Sequence, residues 1–135
     1  MESELRQLLL DCLKKKGPGI ETARLSGLSP EDWQAFLSLA TTQKVIALLW
    51  HRLREKGLDQ AVPFKVAEVL QGGFRRNILR NLCLYRDLHS LLSVLNPEGT
   101  PLIVLKGIYL ADVVYGNIGL RQMNDIDVLA RPADL

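Results

Sequence analysis

The sequence predicts an α+β fold in which helices dominate and a small sheet comes late. Three observations predict it. Apolar residues recur at helical spacing from Ser3 to Leu95. A short, wholly apolar run follows at Leu102-Ile103-Val104-Leu105, and Asp125-Ile126-Asp127-Val128-Leu129 then alternates as a strand does. The hydrophobic share of 47% suffices for an ordinary core, so disordered, collagen-like and coiled-coil classes fit poorly. Seventeen basic against fifteen acidic side chains leave a formal net charge of +2, too small an excess to single out a nucleic-acid or membrane partner.

The first helix is read from Leu5, Leu8, Leu9, Cys12 and Leu13, one buried stripe with Lys14 to Lys16 at its negative end; Gly17, Pro18 and Gly19 stop it. Ser29-Pro30-Glu31-Asp32 opens the next, with Ser as N-cap, Pro at the first helical position and acids in the first turn. That helix buries Trp33, Phe36, Leu37 and Ala40. A third runs from Gln43 to Lys56 around Val45, Ile46, Leu49, Trp50 and Leu53, and Gly57 suits the left-handed residue beyond it. From Pro63, the series Val66, Val69, Leu70, Phe74, Ile78, Leu82, Tyr85, Leu88, Leu92 and Leu95 keeps helical spacing, with Gly72-Gly73 expected to weaken or bend the helix. Asn96-Pro97-Glu98-Gly99 is a turn. The run at 102–105 is expected to be a buried strand closed by Lys106-Gly107. A two-turn helix then follows on Ile108, Leu110, Ala111, Val114 and Tyr115, before the alternating strand. The helical region is thus residues 1–98, and residues 99–135 form a second region of strand, helix and D-x-D strand.

Cys12 and Cys83 are isolated, which favours reduced, buried thiols over zinc or disulfide chemistry. His51 and His89 lack a second ligand at i+3 or i+4 and read as ordinary helix residues. The first residues lack the positive stretch of a signal peptide, and no apolar run approaches the roughly 20 residues of a membrane span. A soluble, cytoplasmic protein is expected.

Chemistry concentrates at Asp125 and Asp127. In a strand, residues i and i+2 share a face, so the two carboxylates project together while Ile126 and Val128 turn inward. Carboxylates held close repel each other unless a cation or proton resolves the conflict. Magnesium, a hard ion commonly held by one or two carboxylates and substrate phosphates, is the natural partner, with manganese as its substitute. Alone, D-x-D is a weak signal.

Its context strengthens it. The order of apolar strand ending in Gly, short helix and D-x-D strand is that of the polymerase β-like nucleotidyltransferases. The stretch LKGIYLADVVYGNIGLRQMNDIDVLARPADL resembles a poorly characterised bacterial nucleotidyltransferase family, whose hallmark is LKG, a short helix with a Tyr at its end, and R-x-x-x-D-I-D-hydrophobic-L. Both halves stand here, at Leu105-Lys106-Gly107 and at Arg121 through Leu129. The resemblance implies the first half of a nucleotidyltransferase fold with a small mixed sheet. It also implies catalytic and metal-binding roles for Asp125 and Asp127, and a nucleoside triphosphate as substrate.

Lys106, Gly107 and Arg121 are the expected substrate-binding residues. The superfamily ends this first strand in Gly-Gly or Gly-Ser, so Lys106 is a departure. It reads either as a cation on phosphate or as a strand-end lysine whose stem covers apolar surface. Arg121 reads either as a phosphate or carboxylate clamp or as a loop arginine bonded to carbonyls or Asp125. Arg75, Arg76, Arg80 and Arg86 make the long helix basic, as a solvated face or as a track for nucleic acid.

The superfamily usually adds a third carboxylate from a later strand. Because the chain stops at Leu135, an incomplete site and a poorly active isolated chain are expected. Two other readings stay open: a non-catalytic interaction or regulatory module, of the kind found in toxin-antitoxin pairs, and a nucleic-acid-binding helical protein. A truncated sheet of about two strands is also expected to leave an unpaired edge that invites dimerisation.

Overall fold

The computed structural model describes residues 2–15 and 22–134. The chain divides into two compact units, Met1–Arg75 and Arg76–Leu135. Among the described residues, no helix is long and apolar enough to cross a membrane.

In the first unit, α1 (Glu2–Leu13) buries Leu5, Leu8, Leu9 and Cys12, the stripe its spacing predicts. The stop assigned to Gly17, Pro18 and Gly19 lies outside the described residues. A short helix not expected from the sequence, α2 (Thr22–Ser26), carries the fully buried Leu25. Helix α3 (Pro30–Thr42) starts at the expected signal. The Ser29 hydroxyl accepts from the Asp32 N–H at 3.1 Å, and the Asp32 carboxylate accepts from the Ser29 N–H at 3.2 Å, a reciprocal capping box. Trp33 and Phe36 meet edge to face at 5.7 Å.

Helix α4 (Ile46–Glu55) begins later than the apolar spacing predicts. Gln43 caps α3, and Lys44 at φ 58° reverses the chain, so the Val45 N–H reaches back to the Ala40 carbonyl at 2.9 Å. That is a Schellman closure with lysine where glycine is usual. Gly57, at φ 68°, is the left-handed residue expected after α4. The Lys56 ammonium donates to the Asp11 and Cys12 carbonyls, both at 3.0 Å, satisfying acceptors that the end of α1 leaves open.

Helix α5 (Phe64–Leu95) runs uninterrupted through Gly72-Gly73. Leu70 and Phe74 join the core of the first unit. The stripe differs from the expected one: Val69 and Leu82 are exposed, and Asn77 and Asn81 are buried instead. Cys83 is also exposed, not buried as expected, because it lies about 200° around the helix from Asn81.

The second unit holds β1 (Leu102–Leu105), α6 (Lys106–Tyr109) continued by a π-helical turn over Leu110–Val114, and β2 (Asp127–Ala130). The strands pair antiparallel, Leu102 with Ala130 through Leu105 with Asp127. The sheet is therefore purely antiparallel and not mixed, since a mixed sheet needs at least three strands and this one has two. Leu88, Ile108, Ala111 and Met123 form its small core, with Val104 and Ile126 packed against them. The run at 102–105 is only half covered: Ile103 is 60% exposed, and its partner Leu129 is 54% exposed.

Candidate active site

Strand β1 ends where the backbone of Lys106 takes φ 47°, a left-handed conformation that is strained for a residue with a side chain. That turn ends the ladder and decides where β2 can begin. Asp127, paired with Leu105, is its first residue. Asp125 and Ile126 have no strand residue opposite them, so the expected strand over 125–129 is corrected to Asp127–Ala130, and Asp125 lies outside it.

The turn brings Lys106 to Asp127, with Nζ 3.4 Å from Oδ1. The lysine side chain is 70% exposed and that of Asp127 35% exposed, so the pair is wet and is worth at most about 1 kcal/mol. Ile126 packs toward the core between the two aspartates, whereas Val128, expected to turn inward, is 37% exposed. Asp125 is exposed and makes no hydrogen bond or ion pair among the described residues. By alternation Ile103, Leu105, Asp127 and Leu129 share one sheet face, so Asp127 borders an open apolar strip.

Gly107 lies against the segment that carries the aspartates. A side-chain carbon there would come within 3.0 Å of the Met123 sulfur, so the missing side chain lets the buried Met123 pack under the start of α6. A larger residue here would require the flexible Met123 side chain to shift by a few tenths of an ångström.

Arg121 is held by its backbone. Its carbonyl accepts from the side-chain amides of Asn77 at 3.2 Å and Asn81 at 2.8 Å. Asn77 also donates to the Gly119 carbonyl at 2.6 Å, and Asn81 to that of Ile118. Gly119 permits this approach, since a Cβ there would lie 2.6 Å from Ile78 Cγ1. Among the described residues, the Arg121 side chain makes no bond to Asp125 or to a carbonyl, and its buried Nε has no partner. Arg80 Nη1 donates to Asn124 Oδ1 at 3.2 Å, next to Asp125. Thus Asn77, Arg80 and Asn81, within little more than one turn of α5, grip the segment that leads to the aspartates.

Sequence reasoning missed Asn77 and Asn81, and named Arg80 only as part of a basic helix face. The usable signal was the spacing of Asn77 and Asn81, which continues the stripe of Leu70 and Phe74 toward Leu88. Buried amides on a core stripe need partners, and irregular backbone is what usually supplies them. Tyr85 completes the frame: its hydroxyl donates to the Ile108 carbonyl at 3.2 Å, and burial, aided by Asp112, raises its pKa.

Among the described residues, no three His, Cys, Asp or Glu side chains converge as a metal-binding group. The chain matches the family described as "Uncharacterised nucleotidyltransferase" over residues 29–135. No curated protein and no solved structure matches it. The match takes in α3, α4, α5, the sheet and both aspartates, and the chain belongs to this uncharacterised nucleotidyltransferase family.

Proposed function

We propose that this chain binds a nucleoside triphosphate at Asp125 and Asp127 and serves transfer of the nucleoside monophosphate to an acceptor. The observation that carries the reading is the meeting of Lys106 and Asp127 at the end of β1 in a chain of this family. Asp125 and Asp127 would hold magnesium or manganese. The donor set suits such an ion, since two hard carboxylates leave the remaining positions to phosphate and water. When bound, the ion would neutralise phosphate charge and activate the acceptor oxygen.

The side chains have separate tasks. Lys106 offers an ammonium that can exchange Asp127 for a phosphate oxygen, because its present pair is weak and solvated. Arg121 contributes a guanidinium on a segment fixed by two buried amides. Gly107 keeps that segment close to the turn. The test is calorimetric titration of each of the four ribonucleoside triphosphates with and without magnesium. Binding should require the cation and be lost in an Asp125→Asn, Asp127→Asn variant; cation-independent binding that survives both substitutions would overturn the reading.

A second reading, a non-catalytic interaction module, draws on a different observation: the paired Ile103 and Leu129 leave an apolar sheet face open to solvent. Sedimentation would separate the two. Self-association abolished by Ile103→Lys, together with no nucleotide binding, favours the module.

A further inference from the structure

The cations of the second unit fall into two groups. Lys106, Arg86 and Arg131 each have a carboxylate within reach, at 3.4 Å on Asp127, 3.0 Å on Asp87 and 2.7 Å on Asp134. Arg76, Arg80 and Arg121 have none among the described residues. Two of these, Arg80 and Arg121, are tied to the segment before Asp125. Arg121 is locked to α5 through its carbonyl, and Arg80 leaves the same turn to meet Asn124, the neighbour of Asp125.

The kind of contact Arg80 makes is informative. A neutral amide oxygen orients the guanidinium by one bond without cancelling its charge, and the other N–H groups of the fork stay available. A carboxylate in place of Asn124 would have spent both charge and geometry. Arg121, three residues before Asn124, adds a guanidinium that has no carboxylate partner among the described residues. Oriented, un-neutralised guanidinium groups suit phosphate oxygens, which they bind with paired N–H donors.

We propose that Arg80, with Arg121, forms an anion subsite for the polyphosphate tail of the nucleotide; the inference rests on the nucleotidyltransferase reading above. A nucleic-acid backbone is the less fitting occupant. The large apolar side chains exposed on this part of α5 are Leu79, Leu82, Leu91 and Val94, all aliphatic, so bases would find no aromatic stacking platform along this helix.

The test compares affinities for ATP, ADP and AMP in magnesium, and for a single-stranded RNA oligonucleotide, across wild type, Arg80→Ala, Arg80→Lys and the Asp125→Asn, Asp127→Asn variant. Arg80 is exposed, so its variants should melt with the wild type. Arg86→Ala, which removes a cation already paired with Asp87, is the charge control. Arg80→Ala should weaken ATP roughly tenfold, the loss of one charged hydrogen-bonding group. AMP should change less than about twofold, Arg80→Lys should recover part of the loss, and Arg86→Ala should leave ATP unchanged. Equal weakening of ATP and AMP, or none, would overturn the subsite. If the aspartate variant nonetheless loses ATP, the broader reading survives that failure. Arg80-dependent RNA binding with unaltered ATP affinity would overturn it in favour of nucleic acid. A wild-type protein that binds no nucleotide would overturn both.

Discussion

The Lys106 ammonium lies 3.4 Å from the Asp127 carboxylate, at the point where β1 ends and β2 begins. The pairing sets two binding events against each other. A metal ion arriving at Asp127 alone meets a resident positive charge, whereas a metal-nucleotide complex brings phosphates that the same charge attracts. Lys106→Gln is therefore expected to tighten binding of free manganese and to weaken binding of ATP with magnesium, each by about two- to fivefold, the range of a solvent-exposed pair. Parallel changes in both affinities would exclude this arrangement.

The clamp on the segment before Asp125 is expected to be a stability element as well. Asn81→Ala strips donors from the Ile118 and Arg121 carbonyls and empties a fully buried site, and it should destabilise the second unit by about 2 to 4 kcal/mol. Gly119→Ala pushes a methyl into Ile78, and about 1 to 3 kcal/mol should be lost. Ile78→Ala removes the opposing carbon, so the Gly119→Ala, Ile78→Ala double variant should be more stable than the sum of the single losses predicts. Chemical denaturation of the four proteins in this cycle checks the coupling.

Much of the helical unit was legible because its signals are local. The stripe of α1, the Ser29 capping box and Gly57 each depend on residues a few positions apart. Strand β1 stands where its apolar run predicts. The site was less legible, because its geometry is set from elsewhere in the chain. Asp125 alternates with Asp127 in sequence, yet the ladder stops at Asp127 because Lys106 turns away on the other strand. The asparagines escaped notice because an apolar count passes over Asn77 and Asn81, and only the fold reveals that the carbonyls of Ile118, Gly119 and Arg121 are their partners. The closure at Lys44 was hidden for a related reason: glycine is the expected marker, and lysine stands there.

The two thiols should behave oppositely. Cys83 is exposed and should react with a disulfide reagent in the native protein, while Cys12 should react only on unfolding. Burial pushes the Cys12 thiol from its ordinary 9.0 up to about 11, against a smaller lowering by Lys56. The native state then keeps a proton that the unfolded chain releases. The resulting stability is complete below pH 9 and is lost as pH rises from 9 to 11, by about 3 kcal/mol at most. Denaturation at pH 8 and pH 11 should show this loss in the wild type and a smaller one in Cys12→Ala.

Manganese in place of magnesium reports directly on metal binding at Asp125 and Asp127, because its electron paramagnetic resonance signal changes when the ion is immobilised. With ATP present, the wild-type chain should form a ternary complex with manganese, and the Asp125→Asn, Asp127→Asn variant, with an unaltered melting temperature, should not. Equal immobilisation of manganese by the two proteins, or no ternary complex with the wild type, would contradict the assignment of these aspartates as the metal and nucleotide site.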